Sequence, residues 1–434
     1  MDRRPITIQD LLHLKFISDP QISPDGSKVI FSVKTINEDK NQYNAHLFMA
    51  NIRTREVNPF TYGEVLDGQP RWSPNGEMIA FLRTKESESQ IWMIPSCGGE
   101  ARKLTTLDQG SFGSPEWSPS GHKIAFEFRP THSQWTTKAI NERKDKGRSP
   151  PPRVITQLPY RKEGEGYLDH YQHIWVCDIL SGESSPLTCG DWDNSNPSWS
   201  PDGLWLAFIS NRSQNPQLTP FLEDIWRLPI EGGDPLKLPT PNGHKWGLSW
   251  SPDGKYIAYI GTETQDDPWC AHNDRMWIVP LSPGHARCLT KSLDRIAENV
   301  TLSDVRGSGS QLPVWAKDGG HLFHLISDRG GCRLQATDLK GISSPLTDTS
   351  ADIYGFSLNR NSSRVAFLAS DPTHNGEVHL LELGTNTSTP IQLTELNTLF
   401  LSSIDISQPE EIRFPSPDKT EIQGWILKPP LFDQ

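Results

Sequence analysis

The side chains best suited to chemistry lie in short polar runs of this 434-residue chain. Tyr160-Arg-Lys-Glu-Gly-Glu-Gly-Tyr167 places Arg161, Glu163 and Glu165 between two tyrosines. Such a set offers charge-assisted hydrogen bonds to a peptide terminus or to a neighbouring domain, and otherwise reads as solvated surface charge. His170 and His173 are three residues apart near the start of a strand, so their rings point to opposite faces and make no metal pair. Asp191-Trp-Asp-Asn-Ser-Asn196 opens like a calcium loop but lacks its Gly and its closing Glu, and reads as a turn. The six cysteines, 97, 177, 189, 270, 288 and 332, show no C-x-x-C spacing. They fit reduced core thiols better than a zinc site or a disulfide framework. Gly98-Gly99 and Gly232-Gly233 read as hairpin turns and not as phosphate cradles. No metal or cofactor is expected. A carboxylate site would need Asp or Glu side chains converging at one axis, which a sequence does not display.

The elements that must position these residues follow from composition and repetition. Lys and Arg total 42 against 53 Asp and Glu, a net charge of −11, which argues against a phosphate-binding, nucleic-acid surface. Fifteen Trp and 16 Phe are too many for a disordered chain, and 36 Pro with 33 Gly point to many short strands and turns. No apolar run approaches the length of a membrane span. Asp10, His13 and Lys15 interrupt the N-terminal segment, so it does not read as a secretory signal. The expected setting is cytoplasmic, with no membrane.

One phrase recurs: Trp, then Ser-Pro-Asp-Gly, then an Ile-Ala-Phe run. Its copies are Ile22-Ser-Pro-Asp-Gly26, Trp72-Ser-Pro-Asn-Gly76, Trp117-Ser-Pro-Ser-Gly121, Trp199-Ser-Pro-Asp-Gly203 and Trp250-Ser-Pro-Asp-Gly254. Two are worn, Trp315-Ala-Lys-Asp-Gly319 and Leu358-Asn-Arg-Asn-Ser362. Apolar pairs such as Ile91-Trp92 and Ile225-Trp226 come next as third strands, and Leu-Thr pairs such as 104–105 and 393–394 close the units. A strand, a Pro-Asp-Gly turn and three further strands per copy predict an all-β, seven-bladed β-propeller, whose radial arrangement leaves only short edges. Because each blade is complete in sequence, closure by packing is expected. The boundaries are 1–15 for a lead-in helix, 16–395 for the propeller with an insertion at 127–172 in its third blade, and 396–434 for a linker and a terminal segment. The second insertion, Arg295–Gln311, reads as an extended loop.

The basic stretch Asn141–Arg148 in the first insertion reads as a solvated excursion. Thr7-Ile-Gln-Asp10 has a capping pattern, and a helix there would show an apolar side of Ile8, Leu11 and Leu12. Beyond the last Leu-Thr pair, Phe414-Pro-Ser-Pro-Asp-Lys-Thr-Glu-Ile-Gln-Gly-Trp-Ile-Leu-Lys-Pro-Pro430 reads as two strands around a Pro-Asp-Lys turn.

Together these features resemble the prolyl oligopeptidase family of serine peptidases, particularly its acylaminoacyl-peptidase branch; the blade phrase alone is shared with TolB-like and dipeptidyl-peptidase N-terminal-like propellers. The resemblance covers nearly the whole chain, including Gly98-Gly-Glu-Ala-Arg-Lys-Leu-Thr105 and Asp418–Pro430. It implies that the final segment is the first hairpin of an α/β-hydrolase domain and that the lead-in helix packs beside that domain. The family's nucleophile sits in a G-x-S-x-G elbow, which this sequence lacks: Gly110-Ser-Phe-Gly113, Gly307-Ser-Gly-Ser310 and Gly341-Ile-Ser-Ser344 all fail the spacing. No catalytic residue carries over, and the chain is expected to be inactive alone, a truncated propeller portion gating short peptides to a hydrolase domain. Assembly into a homo-oligomer is compatible with the family. The alternative is a stand-alone TolB-like propeller that serves as a protein-binding scaffold.

Overall fold

A computed structural model of the chain describes residues 3–163, 165–265, 272–304, 312–348, 351–384, 389–430 and 432. Cys270, Gly164 and the Gly307–Ser310 run lie outside them. Strands dominate, with one α-helix of nine residues at Thr137–Asp145. The first unit is Phe16–Ile22, Lys28–Asn37, Gln42–Asn51 and Val57–Pro59, each strand antiparallel to the one before. The same order recurs in successive units, for example Ser195–Trp199, Trp205–Ser210, Asp224–Pro229 and Leu236–Lys237. The last begins at Asp352–Leu358 and ends at Ile391–Gln392.

The repeated phrase folds one way throughout. In Ser200-Pro-Asp-Gly203, Gly203 N donates to the Ser200 carbonyl at 2.9 Å. Ser200 Oγ donates to Asp202 Oδ1 at 2.5 Å and accepts from Trp205 N at 2.9 Å. Gly203 sits at φ +70°, where a side chain would be strained. The Trp of each phrase then joins neighbours. Trp72 Nε1 donates to the Gln21 carbonyl, Trp117 to Arg71, Trp199 to Glu116, Trp250 to Ser198 and Trp315 to Ser249, all at 2.9–3.1 Å. Each acceptor is the residue just before the corresponding position of the preceding unit. The closing Thr ties its own strand to the third one, because Thr105, Thr188 and Thr290 Oγ1 accept from Ile91, Ile174 and Met276 N.

Hydrophobic clusters fill the space between successive units, as in Ala207, Ile225, Trp250 and Tyr259. One further cluster joins Ile22, Val29 and Phe31 of the first unit to Tyr354, Ala366 and Val378 of the last, so the array closes on itself. The two positions that lack the Trp meet here. Ile22 and Leu358 carry no indole, and Ile22 N instead donates to Ser357 Oγ at 2.8 Å. Closure is by packing, since the last sheet contains only strands of its own unit and its predecessor.

Antiparallel order puts the Ser-Pro-Asp-Gly turns on one face of this ring. The opposite face bears the second-to-third strand loops and the connections between units, including the described residues 131–163, 165–172, 211–223 and 291–304. Both chain ends reach that face. The lead-in is a 3₁₀ helix, Ile8–His13, capped reciprocally by Thr7 and Asp10, and Arg4–Pro5 pairs in parallel with Ile404–Asp405. The expected apolar side is not buried: Ile8 is 88% exposed, because Asp10 occupies the inner position and pairs with Arg4. The final segment forms the expected hairpin, Glu410–Pro415 with Glu421–Ile426. The basic stretch is partly helical, within Thr137–Asp145.

Candidate functional site

First strands of neighbouring units lie against one another and so surround the axis. Register shifts interrupt several of them, and Asp19, Gln69, Asn196 and Gly247 take up the bulges at φ +52° to +69°. A non-glycine residue at such an angle is uncommon and strained.

A chain of charge runs along the axial side of the first three units. Arg71 Nη1 donates to Asp19 Oδ2 at 2.6 Å. Glu116 comes next, its Oε1 accepting Trp199 N at 3.2 Å. Burial pushes its carboxyl up to about 8, opposed by that N–H and by Arg71 and assisted by the charge of Glu127. Glu127 accepts Asn196 N at 2.6 Å, and burial raises it likewise. Gly113 makes room for this carboxylate, since a Cβ there would stand 2.6 Å from Glu127 Oε2. Two residues further along the strand, Arg129 donates both terminal nitrogens to Asp193 at 2.9 and 3.1 Å and one to the His170 carbonyl at 2.7 Å. Glu165 Oε2 stands 3.6 Å from Arg129 Nε, and its other oxygen pairs with Lys162 at 2.6 Å.

The excursion of the third unit encloses a cavity of about 570 Å³ above this chain. Its wall contains Arg153, whose guanidinium lies 3.9 Å from the ring centres of both Trp135 and Tyr167 and 2.5 Å from Asp169. Across the ring, Lys245 is 1% exposed. Its Nζ donates to the carbonyls of Glu223 and Gly243 at 2.6 and 3.0 Å, and burial pulls its amine down to about 8.

Of the three residues singled out in the sequence, the fold brings only Glu165 into this network. Arg161 is exposed, 5.7 Å from the Tyr167 ring centre, and Glu163 is exposed beside it. His170 and His173 do not converge: the first stacks on His132 at 5.6 Å, and Nδ1 of the second is 3.1 Å from Asn194 Nδ2. Among the described residues no three potential ligands gather around a metal position. Asp193 serves Arg129 and Gln172 N, so its segment is a connecting turn. Sequence reading missed Glu116, Glu127, Arg129 and Arg153. The first had a signal, because the residue before each repeated Trp is the one whose carbonyl faces the next unit.

A family model described as TolB beta propeller domain matches residues 13–148. The chain is 30% identical over 431 residues, 98% of its length, to "Uncharacterized peptidase YuxL" of Bacillus subtilis, and covers 64% of that protein. An acylaminoacyl peptidase structure from Pyrococcus horikoshii superposes with a TM-score of 0.73 at 18% identity, covering 99% of this chain and 60% of that one. The propeller domain of a trilobed protease from Pyrococcus furiosus, described as having an open velcro topology, superposes with a TM-score of 0.59 at 18% identity over 88% of this chain and 97% of its own. The chain thus spans less than two thirds of the peptidases it matches along its length. It has a TolB-like β-propeller fold and is homologous to peptidases.

Proposed function

We propose that the chain is the seven-bladed propeller portion of a serine peptidase of the prolyl oligopeptidase type, resembling acylaminoacyl peptidase. The propeller covers a hydrolase domain and admits short peptides while excluding folded proteins. The observation that carries this reading is the apolar surface that both chain ends present on the loop-bearing face. Ile8 and Leu11 of the lead-in, and Phe414, Trp425, Ile426 and Leu427 of the hairpin, are all exposed. The hairpin strands pair only with each other among the described residues. Exposed apolar surface of this kind marks an interface, and a hydrolase domain that begins with the hairpin would cover it. With no G-x-S-x-G, the 434 residues alone carry no serine nucleophile of that type and are inactive. A cover of this sort orients the substrate and holds water away from the reaction.

The test is fluorophosphonate labelling and hydrolysis of acetyl-alanine p-nitroanilide by the native protein from its source, beside the 434-residue chain. A labelled, active species of roughly 75–80 kDa and an unlabelled 434-residue chain are expected. A native species of 48.8 kDa that copurifies with no hydrolase overturns the reading. One observation favours the scaffold alternative: Trp425 lies against Gly330, and Gln423 Nε2 donates to the Arg329 carbonyl at 3.3 Å, so the hairpin leans on the ring.

A further inference from the structure

We propose that the cavity in the third-unit excursion is a binding site for a basic side chain, a guanidinium or ammonium on an apolar stem, presented by an extended peptide. The site is separate from the hydrolase-capping role, and its test needs no peptidase. At about 570 Å³ the cavity is of the size that encloses small ligands. Its wall already displays the chemistry. Arg153 is held with one aromatic ring on each face and a carboxylate at its edge, the arrangement that cation–π attraction and charge-assisted hydrogen bonding favour. That cation already has Asp169 as its counter-charge within the protein.

The same partners recur beside it. Asp191 lines the cavity together with the rings of Tyr160 and Tyr171 and the stacked imidazoles of His132 and His170. No hydrogen bond or ion pair joins the Asp191 carboxylate to another described residue. Nδ1 of His132 is 3.2 Å from Gln134 N and accepts from it. The rim adds Val154 and Ile155, both exposed, against which an aliphatic stem would lie. An anionic wall with aromatic faces selects a cation, and a chain of net charge −11 raises the local concentration of one.

The probes are acetyl-arginine amide, acetyl-lysine amide and the neutral isostere acetyl-citrulline amide, titrated into the purified chain by calorimetry or ligand-observed NMR. The two cations are expected to bind at least about tenfold more tightly than the citrulline compound. Asp191→Asn is expected to remove that preference, and Tyr160→Leu to weaken both cations about three- to tenfold. Unchanged thermal unfolding of the variants verifies that the fold persists, as expected for exposed positions. Equal binding of the citrulline and arginine compounds overturns the proposal. So does an Asp191→Asn protein that binds like the parent, or the absence of binding by either cation at about 10 mM.

Discussion

The two faces of the ring are built by opposite rules. On the turn face the four units that carry Ser23, Ser73, Ser200 and Ser251 spend the same few residues. A serine closes the turn and caps the next strand, an acid or amide receives the serine hydroxyl, and a glycine takes the left-handed angle. On the loop face no two units agree. That face holds the excursion with its cavity, the buried Lys245 and both chain ends. Repetition secures the ring, and irregularity on the other side supplies the surfaces for function, as is general where loops ride on a rigid scaffold.

Trp250 tests the repeated half most severely. Its indole fills the space between the fourth and fifth units and donates to the Ser198 carbonyl. Trp250→Ala is expected to cost about 3–5 kcal/mol. Trp250→Phe, which keeps most of the bulk and leaves a buried carbonyl unpaired, is expected to cost about 1–3 kcal/mol. Urea unfolding measures both, and a phenylalanine variant as stable as the parent would remove the indole bonds from the account of how units are joined.

Glu116 tests the axial wall through pH. Its pKa in the fold is raised to about 8 from 4.5, so the folded protein holds a proton there that the unfolded chain gives up. The stability this contributes is complete below pH 4.5 and is lost as pH rises through about 8. Glu116→Gln keeps an acceptor for Trp199 N and has no proton to lose. It is expected to flatten that slope and to stabilise the fold at pH 8.5 by about 1–2 kcal/mol, with little change at pH 4.5. Lys245 works in the other direction. With an amine lowered to about 8 from 10.5, it makes stability rise across that interval. A Glu116→Gln protein whose stability follows the parent's from pH 5 to 8.5 would show that Glu116 is ionised throughout. Next in size is Gly203→Ala in the turn. At φ +70° it is expected to cost about 1–2 kcal/mol, and its Cβ meets nothing nearer than Pro119 Cδ at 3.7 Å, so the loss reports the backbone angle alone.

The same division separates what is legible in the sequence from what is not. The Trp-Ser-Pro-Asp-Gly phrase announces strand, turn and partner because one local geometry is imposed many times. Even its losses are informative: Ile22 and Leu358 stand at the closing seam. The axial chain is different. Arg129 meets Asp193 across 64 residues and Glu116 meets Trp199 across 83, pairings fixed by how units are placed side by side and carried by no local pattern. Arg161 and Glu163 had the right chemistry and the right neighbourhood, but the antiparallel pairing of Arg161–Lys162 with Gly166–Tyr167 leaves both exposed and brings only Glu165 to Arg129. The excursion hid its own cavity for the same reason, since Trp135, Arg153 and Tyr167 share no period.

The smallest expected effect separates the two readings of the chain's end. Trp425, unlike Trp250, is 49% exposed, and the described ring residue it crowds is Gly330. If the hairpin belongs to a further domain, Trp425→Ala removes a contact that the ring does not depend on. Its cost in the 434-residue chain should then be about 1 kcal/mol or less, while solubility improves as apolar surface is lost. If the hairpin is instead a fixture of a propeller that stands alone, the indole is its anchor. The same substitution should then free the strands, exposing the Ile422 and Gly424 amides to rapid hydrogen exchange while those of Tyr256–Gly261 stay protected. Comparing exchange at these two places in the parent and in Trp425→Ala distinguishes a strand pair that is stable by itself from one that the ring holds down. A hairpin that exchanges fast already in the parent chain fits the reading in which it belongs to a further domain, because strands without a packed partner are marginal in water and on that reading the ring does not supply one.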